Sequence, residues 1–181
     1  MIISKEFKFE ASHILPNHPG KCRNLHGHSW RVMLEVEGAI QPESQFVLDY
    51  NQLSALVDPV LEVLDHTHLN WLVSYPSSEN IAIALGDIFA PLLQGGYFEE
   101  VTLRVSETQK TWTELRLGDL AAETNPLLGF HPPLLEELKN HPILWPNLDA
   151  VLLKRAEWLL ARKLAHQHIE LIHEWVRRGG K

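Results

Sequence analysis

Residues 7–38 read FKFEASHILPNHPGKCRNLHGHSWRVMLEVEG. Two alternating runs flank a break. Phe7 and Phe9 point one way and Lys8 the other, the pattern of a half-buried strand over residues 2–9. After the break, Trp30, Val32, Leu34 and Val36 share one face of residues 28–37. Arg31, Met33, Glu35 and Glu37 share the other, and Gly38 ends the run. Residues 14–25, with two prolines and a glycine, read as a long connection. The two strands are expected to pair as an antiparallel hairpin with a large, functional loop between them.

From Asp49 the period changes. Leu53, Leu56, Val57, Val60, Leu61 and Leu64 recur at three- and four-residue spacing, which predicts an amphipathic helix up to Leu64 with Asp49 as N-cap. Pro59 falls inside it and is expected to kink it or delay its start. A second helix is predicted from Ser77 or Ser78, with Ile81, Ile83, Leu85, Ile88, Phe89 and Leu92 on its apolar side and Gly95-Gly96 closing it. Residues 100–106 and 112–117 alternate again as two further strands. The order ββααββ predicts an α+β domain, a four-stranded antiparallel sheet with both helices on one face.

Past about residue 121 the character shifts. ETNPLLGFHPPLLEELKNHPILWPN holds five prolines and reads as a linker with short helical pieces. Residues 148–176 carry Leu148, Leu152, Ala156, Leu159, Leu164, Leu171, Ile172 and Trp175 at helical spacing, predicting one long amphipathic helix. The chain therefore divides into a domain over 1–120 and a helical extension over 121–181.

Composition bounds the function. The 181 residues carry a net charge of −7, and the acidity sits in the first 120. Neither part has the basic stripe that neutralises nucleic-acid phosphates, so no nucleic-acid partner is expected. No apolar run approaches the ~20 residues needed to span a bilayer. MIISKEFKFE lacks a signal peptide's long apolar segment, so a cytoplasmic protein with no membrane partner is the expectation. Cys22 is the single cysteine, which excludes an intramolecular disulfide.

The chemistry concentrates in the loop and its flanks. In a strand, His26 and His28 point to the same face and could share one metal. Neutral imidazole is a preferred zinc ligand, and catalytic zinc takes three protein ligands plus an open position. His13, at the end of the first strand, is the natural third ligand if the strands pair. Cys22 lies four residues before His26, where a thiolate could act as base or nucleophile; buried packing is its alternative role. Asp65-His66 closes the first helix, either as a proton-transfer pair or as helix-end electrostatics. Glu107 ends the strand VTLRVS, where a carboxylate can bind a guanidine-like edge. Lys21 and Arg23 flank Cys22 as candidate phosphate contacts or solvated loop cations. His166, His168 and His173 do not match helical ligand spacing and read as surface or interface residues. His68 has no assigned role.

These residues resemble the opening of the 6-pyruvoyl-tetrahydropterin synthase / 6-carboxytetrahydropterin synthase family. Its pattern F-x-A-x-H, then C-x-x-x-H-G-H, is matched by Phe9 to His13 and Cys22 to His28. The strings at 47–50, 64–66 with 69–70, 76–80 and 107–108 follow in order, so the resemblance covers residues 1 to about 118. It implies a tunnelling (T-fold) domain assembling as a homo-oligomer, often a hexamer with sites between subunits. It implies zinc on His13, His26 and His28, Cys22 as catalytic cysteine, Asp65 and His66 as proton-relay partners, and Glu107 as the pterin anchor. The implied substrate is 7,8-dihydroneopterin triphosphate. The implied reaction is the carboxy-forming branch, with loss of triphosphate and release of acetaldehyde. The alternatives are the pyruvoyl-forming branch and a non-catalytic pterin- or zinc-binding module. A structural zinc site is disfavoured, since such sites normally close with four ligands. The resemblance does not account for residues 121–181.

Overall fold

The computed structural model of this chain describes residues 1–93, 98–120 and 148–167, with residues 174, 177 and 178 besides. The first two strands form as the alternation predicts, but run longer: β1 is Ile2–His13 and β2 is His26–Glu37. They pair antiparallel in unbroken register, from Ile2 opposite Glu37 to His13 opposite His26. Then come α1 (Tyr50–Leu64), β3 (Thr67–His68), α2 (Ser78–Leu93), β4 (Glu100–Thr108), β5 (Thr111–Arg116) and α3 (Leu148–Gln167).

The sheet has the order β3-β1-β2-β4-β5. The predicted four strands are its antiparallel body. The addition is β3, two residues that pair parallel with β1 through Ala11–Thr67 and Ser12–His68. So short a strand carries no periodicity of its own, and only its position beside β1 defines it. The inward sheet face is apolar: Phe7, Phe9, Trp30, Val32, Leu34, Val101, Leu103 and Val105 are buried against α1 and α2. The outward face is polar and crossed by ion pairs such as Arg104 with Glu35 and Glu114.

Asp49 caps α1, its carboxylate accepting from the Asn51 N–H at 2.7 Å. Pro59 lies within α1 without delaying its start at Tyr50. The closing pair Gly95-Gly96 lies outside the described residues, as do the linker pieces over 121–147. The extension's long helix is described as far as Gln167, and α3 packs against α2 and α1, where Trp158 and Ala165 join the core. Of the three histidines of the extension, the side chain of His166 and all of His168 and His173 lie outside the described residues.

Candidate metal centre and active site

Strand register brings the histidines together. His13 stands opposite His26, so both point to one face, and His28 joins them two residues on. Each offers a ring nitrogen, and the three nitrogens lie within 4.8 Å of one another. The ring centroids of His13 are 4.4 Å from His26 and 5.2 Å from His28. Trp30 makes T-shaped ring contacts with His13 and His28, at 5.1 and 5.8 Å, and its indole N–H donates to the Ala11 carbonyl at 3.3 Å.

Backbone acceptors fix two of the rings. A carbonyl oxygen can only accept, so Nδ1–H of His13 donates to Pro76 at 2.7 Å and Nδ1–H of His26 to Asn24 at 2.8 Å. In the neutral ring, Nε2 is then the unprotonated lone pair. Nε2 of His13 and of His28 is buried with no hydrogen-bond partner among the described residues. Burial pushes the His13 imidazolium down to about 4, with the two neighbouring histidines adding to the shift. Burial lowers His28 in the same direction. Convergent imidazoles, two of them with a buried and unpaired Nε2, fit a divalent metal, which supplies the partner that those nitrogens lack.

Of the other sequence-predicted residues, Glu107 and His66 come near His28. Cys22, half-buried, lies on a 3-10 turn (Lys21–Arg23) with exposed Lys21 and Arg23 on either side. The Leu15 N–H donates to the Cys22 carbonyl at 2.9 Å and closes the loop between the two strands. Glu107 lies beside the β-bulge that separates Val105 from Thr108, and its carboxylate reaches 3.9 Å from His28 Nε2. Burial raises its pKa, the neighbouring His26 opposes that shift and the nearby Glu79 carboxylate adds to it.

Asp65 caps the C-terminal end of α1 and docks on β1. Its Oδ1 accepts from the Glu10 N–H at 2.8 Å and its Oδ2 from His66 Nδ1 at 2.7 Å. These bonds, the Glu10 N–H first, hold its carboxyl below the usual value. His66 takes φ of 54°, a left-handed conformation uncommon for a non-glycine residue. The Glu10 carbonyl accepts its N–H at 2.6 Å and secures it. His66 and His28 both line one open cleft of about 600 Å³, whose other walls include Glu10, Ser12, Gly27 and Trp71. At Gly27 a side chain would press on the Ala11 carbonyl at 3.1 Å, so glycine keeps the strands close there.

Sequence reasoning missed three contributors. The Pro76 and Asn24 carbonyls carry no residue-type signal, although Pro76 opens a string already singled out. Asn70, fully buried, clamps the residue after His13: the Ile14 N–H donates to its Oδ1 at 2.9 Å, and its Nδ2 donates to the Ile14 carbonyl at 3.0 Å.

Comparison with known proteins assigns the chain. It belongs to the family described as 6-pyruvoyl tetrahydropterin synthase, whose model matches residues 2–117. It is 42% identical over 112 residues to 6-carboxy-5,6,7,8-tetrahydropterin synthase of Synechocystis, covering 59% of this chain and 86% of that protein. It is 29% identical over 124 residues to human 6-pyruvoyl tetrahydrobiopterin synthase, covering 59% of this chain and 84% of that one. The structure of Caenorhabditis elegans 6-pyruvoyl tetrahydropterin synthase aligns with a TM-score of 0.55 at 24% identity, covering 64% of this chain and 94% of that one. That likeness shows the fold, the T-fold architecture the sequence resemblance implies. Among the described residues, no helix is long and apolar enough to cross a membrane.

Proposed function

We propose that this chain is a zinc-dependent lyase that converts 7,8-dihydroneopterin triphosphate and one water to 6-carboxy-5,6,7,8-tetrahydropterin, releasing acetaldehyde and triphosphate. The observation that carries this reading is the convergence of three imidazoles within 4.8 Å, two of them with buried, unpaired Nε2 atoms. The 42% identity to the Synechocystis enzyme supports the carboxy-forming branch.

His13, His26 and His28 would hold zinc, which supplies Lewis-acid polarisation of the substrate side chain. Cys22, on its turn between the two ligand strands, would remove a proton from that side chain. His66 would carry protons at Nε2, since Asp65 engages Nδ1 at 2.7 Å and holds the ring. Glu107 would grip the amino-pyrimidinone edge of the pterin through two hydrogen bonds. Family kinship supports a homo-oligomeric assembly, and the cytoplasm would be its place of work.

The test is incubation of the zinc-loaded protein with 7,8-dihydroneopterin triphosphate, followed by mass spectrometry. Acetaldehyde together with carboxytetrahydropterin is the expected result. A pyruvoyl product without acetaldehyde would move the chain to the sister branch represented by the human relative. Zinc binding without turnover would overturn the catalytic reading in favour of a binding module.

A further inference from the structure

His68 has no part in the chemistry above, yet its placement is specific. It lies on β3, in register with Ser12 of β1, and both residues line the cleft that holds His28 and His66. The Ser12 hydroxyl lies 3.1 Å from His68 Nδ1, and the Trp71 ring meets the imidazole edge-on at a centroid distance of 5.9 Å. The ring is thus held on two sides. The residue is only 4% exposed, and its Nε2 is buried with no hydrogen-bond partner among the described residues.

An unpaired buried ring nitrogen is costly, and a core position without a ligand would do better with an apolar ring of the same size. Histidine here has a reason if a bound molecule completes the bond. Neither neighbour supplies that partner: Ser12 takes Nδ1, and Trp71 meets the ring in a T-shaped contact. His68 is itself one of the residues that line the cleft.

We propose that His68 is a substrate-contacting residue, whose Nε2 makes a hydrogen bond to an oxygen of the polyhydroxylated, phosphorylated side chain of the ligand in the cleft. The Ser12 hydroxyl, which can donate or accept, holds the ring's angle in either tautomer. The inference rests on the proposed function, since that reading supplies the oxygen-rich ligand. His68 binds and does not carry the proton; that role stays with His66, whose Nδ1 has a carboxylate partner where His68 has a hydroxyl.

The test compares steady-state kinetics of the zinc-loaded wild-type, His68→Phe and His68→Gln proteins on 7,8-dihydroneopterin triphosphate, with zinc content and thermal midpoint measured alongside. Loss of one hydrogen bond to a buried group corresponds to roughly a tenfold rise in KM. His68→Phe is expected to show that rise with kcat within about twofold of wild type, zinc content unchanged and an equal or higher thermal midpoint. His68→Gln, which keeps a polar group near the Nε2 position, is expected to recover part of the lost affinity. Unchanged KM in a folded, zinc-replete His68→Phe protein would overturn the proposal and leave the proposed function standing. Loss of zinc or of folding in both variants would also overturn it, by making His68 a structural residue. Absence of turnover in the wild-type protein would overturn the functional reading, and this inference with it.

Discussion

The carbonyl oxygen of Pro76 lies 2.7 Å from Nδ1 of His13, joining the lead-in of α2 to the end of β1 across 63 residues of sequence. The bond dictates the tautomer of His13, because the carbonyl can only accept. It leaves Nε2 as a lone pair, on the face that His26 and His28 share. A metal ligand oriented by a backbone carbonyl has its ring angle fixed before any ion arrives.

His13 should therefore be an exacting member of the proposed ligand set, as should His26, whose Nδ1 the Asn24 carbonyl holds in the same way. Changing an orienting partner of a ligand typically costs ~10–100-fold in metal affinity, so removing the ligand itself should cost at least that. His13→Ala is expected to lower zinc from about one per chain to near none after dialysis against a weak chelator. Atomic emission on the dialysed protein reads this directly, and retention of a full equivalent would remove His13 from the ligand set.

Cys22 tests the chemistry rather than the metal. Its turn is tied to the ligand strands through its backbone carbonyl, which accepts from Leu15, so the side chain can be changed without untying the loop. Cys22→Ala is expected to keep its zinc and its thermal midpoint and to lose roughly 10²–10⁴ in kcat, the range for a positioned base. Full activity in a zinc-loaded Cys22→Ala protein would rule out the base role.

The two hairpin strands, α1, α2 and the β4–β5 pair could all be read from periods such as the alternation of Phe7, Lys8 and Phe9 and the three-four spacing of Leu53 to Leu64. Those periods are properties of side chains, and so appear in the sequence. The convergence of His13 with His26 and His28 was half readable: the x-Gly-x spacing placed two rings on one face, but the third needed a register. Residue types do not announce β3, the acceptors Pro76 and Asn24, or the φ of 54° at His66. They arise from what tertiary packing sets beside each backbone group. His68 was readable as a residue and not as a site, because its meaning lies in Ser12 opposite it.

Asn70 offers a stability test of the same tertiary logic. Its amide makes both a donor and an acceptor bond to the Ile14 backbone, at 3.0 and 2.9 Å, in a fully buried place. Asn70→Ala would leave a buried N–H and a buried C=O without partners, at a cost of roughly 2–4 kcal/mol. Urea unfolding should show a lower midpoint at an unchanged slope. Since Ile14 follows His13, zinc affinity should fall as well. A midpoint within error of wild type would mean that water replaces the amide.

The Asp65 carboxylate gives a pH dependence whose sign is fixed by its partners. The Glu10 N–H, and then His66, hold its folded pKa below the unfolded value of about 3.9. A depressed carboxyl contributes its stability fully above the unfolded pKa and loses it as pH falls through the folded one. The Asp65 side chain is 40% exposed, so solvent screens the contribution, and ~0.5 kcal/mol is the scale to expect. Asp65→Asn keeps the side-chain shape and an acceptor for the Glu10 N–H while removing the charge. The wild-type advantage over this variant should be complete at pH 6–7, and should shrink as the pH is taken below about 4. The buried neutral histidines His13 and His68, both pushed down to about 4 by burial, also lose stability as acid is added, but they are common to both proteins and cancel in the difference. Paired urea titrations of the metal-free proteins across pH 3–7 measure that difference. An advantage that stays constant to pH 3 would show that the Glu10 and His66 bonds act through shape alone, and that the charge on Asp65 is reserved for turnover.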